Sequence, residues 1–126
     1  MRASNKGLKV YLAIPYTGLE SKSVEAANNV AACLLKHGVH VFSPITYTHA
    51  LSLKHCLPGD WRFWEDFDTT FISWADELWV VCIDGWELSV GVRQEIQIAR
   101  HLGKTIRMIS AEAGEQEELT CLTEMR

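Results

Sequence analysis

Two acidic residues stand where a helix would be expected to carry apolar ones. In the run from Asp60 to Asp76, Asp68 has Trp61, Trp64, Phe71, Ile72 and Ala75 at offsets −7, −4, +3, +4 and +7, and these positions share one side of a helix. Asp66 has Arg62, Thr69, Thr70 and Ser73 as its neighbours, which describes a solvated face. The same test gives Glu95 the neighbours Gly91, Ile98, Ala99 and Leu102, again a largely apolar stripe with a small residue one turn earlier. A carboxyl framed this way needs a hydrogen-bonding partner or a raised pKa, because desolvation disfavours its ionised form. Two carboxyls reaching one pocket are the minimum equipment for cleaving a glycosidic bond, one at the anomeric carbon and one protonating the leaving group. Structural alternatives stand beside this reading. Asp68 also suits a capping or salt-bridging role at a crowded helix contact, and Glu95 the edge of an amphipathic helix.

The elements that must bring the two acids together alternate between strand and helix. Leu8 to Ile14 is a short apolar run stopped by Pro15, a buried first strand. Helical spacing of Val24, Ala27, Val30, Ala31, Leu34 and Leu35 predicts a helix over Lys22 to His37, ended by Gly38. Val39 to Phe42 reads as a second strand, followed by a loop through Ser43 and Pro44 that carries His49, His55 and Pro58. A second helix starts at the N-cap Asp60, and Glu77 to Ile83 forms a third strand ending at the Asp84-Gly85 turn. A third helix spans Ser89 to Leu102, and Thr105 to Ser110 is a fourth strand. The acidic remainder reads as a terminal helix or a tail. This order predicts one α/β domain over residues 1–126: a three-layer, doubly wound parallel sheet of four to five strands, flavodoxin- or Rossmann-like, with helices on both faces. Ligands in such sheets bind beyond the carboxyl ends of the strands. Here that edge gathers Pro15 to Gly18, Ser43-Pro44 and Asp84 to Ser89.

Composition narrows the partners. The 126 residues are 48% hydrophobic and 22% charged with a net charge of −4, enough for one core. Lys and Arg are scattered, so a nucleic-acid polymer is not expected as a ligand. No apolar run reaches membrane-spanning length and the start, MRASNKG, has no leader pattern, so a cytoplasmic protein without membrane contact is expected. Cys33, Cys56, Cys82 and Cys121 lie far apart and read as free thiols. His49 and His55 have no acidic or cysteine partner at ligand spacing, so no metal and no cofactor are expected.

Three segments resemble the nucleoside 2-deoxyribosyltransferase superfamily, which includes the 2'-deoxynucleoside 5'-monophosphate N-hydrolases and small uncharacterised bacterial families. VYLAIPYTG is similar to its first strand and ligand loop, DTTFISWADELWVV to the segment bearing the acid, and SVGVRQEIQIARHLGKTI to the signature around the nucleophile. The resemblance implies Glu95 as a nucleophile forming a 2-deoxyribosyl ester, Asp68 as the acid that assists departure of the base, and Tyr11 as the residue positioning the glutamate. It implies substrate contacts from Ile14, Pro15, Tyr16, Thr17, Ser89 and Gly91. The loop IPYTG lacks the Gly- and Arg-containing character of the monophosphate hydrolases, whereas Ser89 is similar to their phosphate-binding serine. Hydrolysis and base transfer therefore both stay open.

The expected activity is cleavage of the N-glycosidic bond of a deoxynucleoside or its 5'-monophosphate. A non-catalytic nucleotide-binding or sensing domain of the same fold is the alternative. Ser89 and the amides opening the third helix are expected to bind an anion. Glu95 is expected ionised, and Asp68, crowded by Trp64 and Phe71, to be the acid with the higher pKa. Aromatic residues on several sides of the second helix, Phe63 and Phe67 among them, predict a homo-oligomer.

Overall fold

A computed structural model describes residues 5–112 and the backbone of 121–125. The chain runs β1 (Lys9–Ala13), α1 (Glu20–Lys36), β2 (His40–Phe42), α2 (Pro44–His55), α3 (Trp61–Trp74), β3 (Glu77–Val81), a one-turn 3-10 helix (Trp86–Leu88), α4 (Val90–His101), β4 (Thr105–Ile109) and β5 (Cys121–Met125). The strands form one sheet in the order β2-β1-β3-β4-β5. The first four are parallel to one another, and β5 adds to the outer side of β4 in the antiparallel sense. This is the expected α/β fold.

Alternation along the strands sorts side chains onto two faces. Val10, Leu12, Trp79 and Val81 pack with Ala27, Val30, Ala31 and Leu34 of α1. Tyr11, Ala13, Leu78, Val80, Ile106 and Met108 face the other way and pack with Ile72 of α3 and Val92, Ile96 and Ala99 of α4. The helices thus cover both faces. Gly38, at φ 81°, makes the turn between α1 and β2, and an added Cβ would come within 3.0 Å of Lys6 Cγ. Among the described residues no helix is long and apolar enough to cross a membrane, and Cys33, Cys56 and Cys82 are thiols.

Two expectations need correction. The segment expected as a loop carrying His49 and His55 is the helix α2, with Pro44 at its first turn, Lys54 and His55 in its last, and Cys56 closing it at a left-handed φ of 52°. At the C-terminus, residues 121–125 form a strand and not a helix, because β4 offers a free edge with which to pair. Residues 113–120, in the rest of that expected tail, lie outside the described part.

Candidate active site

β1 supplies the first member of the site. Its alternation sends Tyr11 to the α3/α4 face, in register with Phe42 on one side and Leu78 on the other, and buries it completely. From α4 the buried positions are Val92, Glu95, Ile96 and Ala99, spaced as one helical stripe. Glu95 therefore points at the sheet, and its Oε2 accepts a 2.6 Å hydrogen bond from the Tyr11 hydroxyl. From α3 the buried positions are Asp68 and Ile72, one turn apart. Asp68 lies near enough to Glu95 and Tyr11 for each to influence its titration. The helical-face expectation thus holds in space: both carboxyls are buried, at 7% and 8% exposure, and they meet each other through elements that are remote in sequence.

The electrostatics follow from that meeting. Burial raises the Asp68 carboxyl to about 6, opposed by its hydrogen bonds with Glu95 and Tyr11. Burial raises Glu95 well above the carboxylate range, the Asp68 charge raises it further, and the Tyr11 hydroxyl pulls the other way. Tyr11 itself is raised by burial and then by the two acids, so it stays a neutral donor. Both carboxyls are therefore raised, and the pair keeps a proton to higher pH than either acid would in water.

Above Glu95 there is room. A Cβ added at Gly91, one turn earlier, would meet only Ser89 Oγ, at 4.0 Å. Ser89 caps α4, its hydroxyl accepting from Val92 N at 3.2 Å, so one of the amides expected to bind an anion already has a partner. In the first loop Ile14 is buried in the α1-side core. The buried Pro15 accepts from the Ser23 hydroxyl through its carbonyl, so any ligand contact by these two falls to the backbone. Thr17 is exposed, and Tyr16, half-buried, shares a 2.7 Å hydrogen bond with His49 Nδ1.

Sequence reasoning missed His49, since only the unrecognised helix α2 carries it to Tyr16. It also missed a second buried carboxylate, Glu77, although an acid opening an apolar strand was a usable signal. Glu77 Oε1 accepts from Trp79 Nε1 at 2.8 Å and from Arg107 Nε at 2.9 Å. Among the described residues no cluster of three or more His, Cys, Asp or Glu side chains gathers as a metal ion would need.

A family described as a domain of unknown function, DUF1937, matches residues 8–111, a span that holds Tyr11, Asp68 and Glu95. The chain belongs to this family. No curated protein matches it. Among solved structures, this DUF1937 member is similar to the 2-deoxyribosyltransferase of the psychrotolerant bacterium Bacillus psychrosaccharolyticus, described as a biocatalyst for the synthesis of antiviral and antitumoral nucleosides. The TM-score is 0.57 at 24% identity, over 81% of this chain and 72% of that one. The family member thus has the fold of a 2-deoxyribosyltransferase, in agreement with the resemblance read from its motifs.

Proposed function

We propose that this protein cleaves the N-glycosidic bond of a deoxynucleoside or its 5'-monophosphate, with Glu95 as nucleophile, Asp68 as proton carrier and Tyr11 as the residue positioning Glu95. The observation that carries the reading is the buried group in which Tyr11 donates to Glu95 beside Asp68, two acids with no described cation between them. A purely structural pair of acids would be expected to have a compensating charge.

The shared proton gives a balanced sequence. Glu95 passes its proton to Asp68, which delivers it to the nitrogen of the departing base. The C1'–N bond breaks as a Glu95 oxygen bonds to C1', leaving a glycosyl ester and an ionised Asp68. Asp68 then takes a proton from water, or from an incoming base, as that group attacks C1' and frees Glu95. Ser89, Gly91, Tyr16 and Thr17 stand at the carboxyl edge where sugar, phosphate or base would be held, and a 5'-phosphate would face the opening turn of α4. A binding or sensing role without turnover remains the second reading, and the departure of the IPYTG loop from the hydrolases favours it.

Chromatographic detection of base release from a panel of deoxynucleosides and their monophosphates tests the proposal. Glu95→Ala should lower turnover by roughly 10³-fold or more, about 4 kcal/mol of barrier. Tight nucleotide binding with no base released from any substrate would leave only the sensing role. Undiminished turnover in Glu95→Ala would exclude the nucleophile assignment.

A further inference from the structure

At the carboxyl edge of the sheet, the helix starts that could attract an anion are answered from within the chain. The loop after β1 leads into α1, and there the Glu20 carboxylate accepts from Gly18 N at 3.0 Å. A helix start favours a negative group, and Glu20 is that group. The Gly18 amide is the chief reason its carboxyl titrates below the usual glutamate range, so it is ionised at neutral pH. Helix α2 opens on Pro44, which has no N–H to offer, and the Ser43 hydroxyl beside it is hydrogen-bonded with Thr46 Oγ1 at 2.7 Å. The start of α4 is capped by Ser89, whose hydroxyl takes the Val92 amide.

Side chains reinforce the pattern. Segments 14–20, 43–49 and 84–92 contain no lysine or arginine, yet they carry Glu20, Asp84 and Glu87, all exposed. Glu87 lies in the one-turn 3-10 helix that ends on Ser89, and is near enough to Cys82 to help burial push that thiol up to about 11. His49, the one imidazole of these segments, is engaged with Tyr16 and sits near Glu20. Lys22 and Arg93, the next cations along α1 and α4, are exposed. A phosphate monoester carries about 1.5 to 2 negative charges at neutral pH, and would meet this rim of acids with the Gly18 and Val92 amides already partnered. A free 5'-hydroxyl is not repelled and can donate to a carboxylate. We infer that the site takes uncharged deoxynucleosides and discriminates against their 5'-monophosphates, with Glu20 as the residue that sets the preference and Glu87 assisting it. The inference rests on the proposed glycosidic cleavage and narrows its substrate. Rejection by a fixed like charge is one of the two general routes to specificity.

Base release from a deoxynucleoside and from its 5'-monophosphate, compared as kcat/KM at low salt, tests the inference. The nucleoside should be favoured roughly tenfold or more, and added salt should narrow the gap. Glu20→Gln keeps an oxygen for Gly18 N but loses the charge, and should shift the ratio toward the monophosphate roughly threefold or more. Glu25→Gln, which removes an equal charge further along the exposed side of α1, should leave the ratio unchanged. A monophosphate cleaved as well as the nucleoside, or a ratio unmoved by Glu20→Gln, would overturn the inference while the released base upheld the proposed cleavage. If neither compound releases its base, calorimetry separates the two readings. Tighter binding of the nucleoside would then support the preference and remove the cleavage, whereas equal or tighter binding of the monophosphate, or binding of neither, would remove both.

Discussion

Among the described residues two places bury carboxylates, and they lie on opposite faces of the same sheet. On the α1 face, at the amino end of β3, Glu77 is enclosed at 5% exposure and answered by an indole N–H and the Arg107 guanidinium. On the α3/α4 face, Asp68 and Glu95 are about as enclosed, yet a phenol and each other are their partners. The first arrangement lowers the energy of a charge already present. The second keeps a proton in place and holds an acid in a state it would leave in water. Under the proposed function the difference separates a carboxylate used for stability from a pair poised for reaction, since active sites retain electrostatic tension that structural sites relieve.

The sharpest way to break this comparison is to remove one acid from each place. Glu77→Ala takes the carboxylate from Arg107 and Trp79, and should cost about 3 kcal/mol or more in denaturant unfolding while leaving turnover per folded molecule unchanged. Glu95→Gln should leave stability unchanged or raise it, because a neutral amide sits in this buried position without having to take up a proton. A large loss of stability in Glu95→Gln would place the two sites in one class.

A smaller effect should appear in the pH dependence of stability. Asp68 moves from 3.8 to about 6 on folding, so the folded state binds the extra proton between those values. Stability should therefore fall as pH rises through that window, by at most about 3 kcal/mol, and level off above it. The raised Glu95 carries the decline to higher pH. In Asp68→Asn the slope between pH 4 and 6 should become shallower, leaving the share that belongs to Glu95, and urea midpoints across pH 4–8 would detect an unchanged slope.

The smallest change is expected from Tyr11→Phe. Losing the charge-assisted hydrogen bond to Glu95 should slow turnover roughly tenfold, about 1–2 kcal/mol. The pH profile of kcat/KM should also move to higher pH, because Tyr11 is the group that pulls the Glu95 pKa down. A slower enzyme with an unmoved pH profile would make Tyr11 a packing residue only.

How much of this was legible depended on whether the signal was periodic. α1, α3 and α4 carry apolar residues at helical intervals, and the acids that interrupt those stripes could be picked out against them. α2 gives no such stripe: Ile45, Leu51 and Leu53 are scattered among hydroxyl and histidine residues, and Leu51 and Leu53 are exposed. It is a helix that packs weakly, and Pro44 after Ser43 was the surviving hint of its start. The contact between the two acids was not legible, because it is set by how α3 and α4 seat on β1. Partners such as Arg107 for Glu77 come from different strands, so no local pattern announces them.

The hydrogen bond from Tyr11 to Glu95 joins residues 84 positions apart, and Asp68 reaches the same point from a third element. Closing so long a loop contributes little to stability until the intervening strands have paired. No fragment of the chain that lacks β1 or α4 can hold the reactive group, and the chemistry can begin only after the topology is complete. Under the proposed function, catalytic competence is tied to the last long-range contacts of folding, and recovery of activity on dilution from denaturant would time their formation.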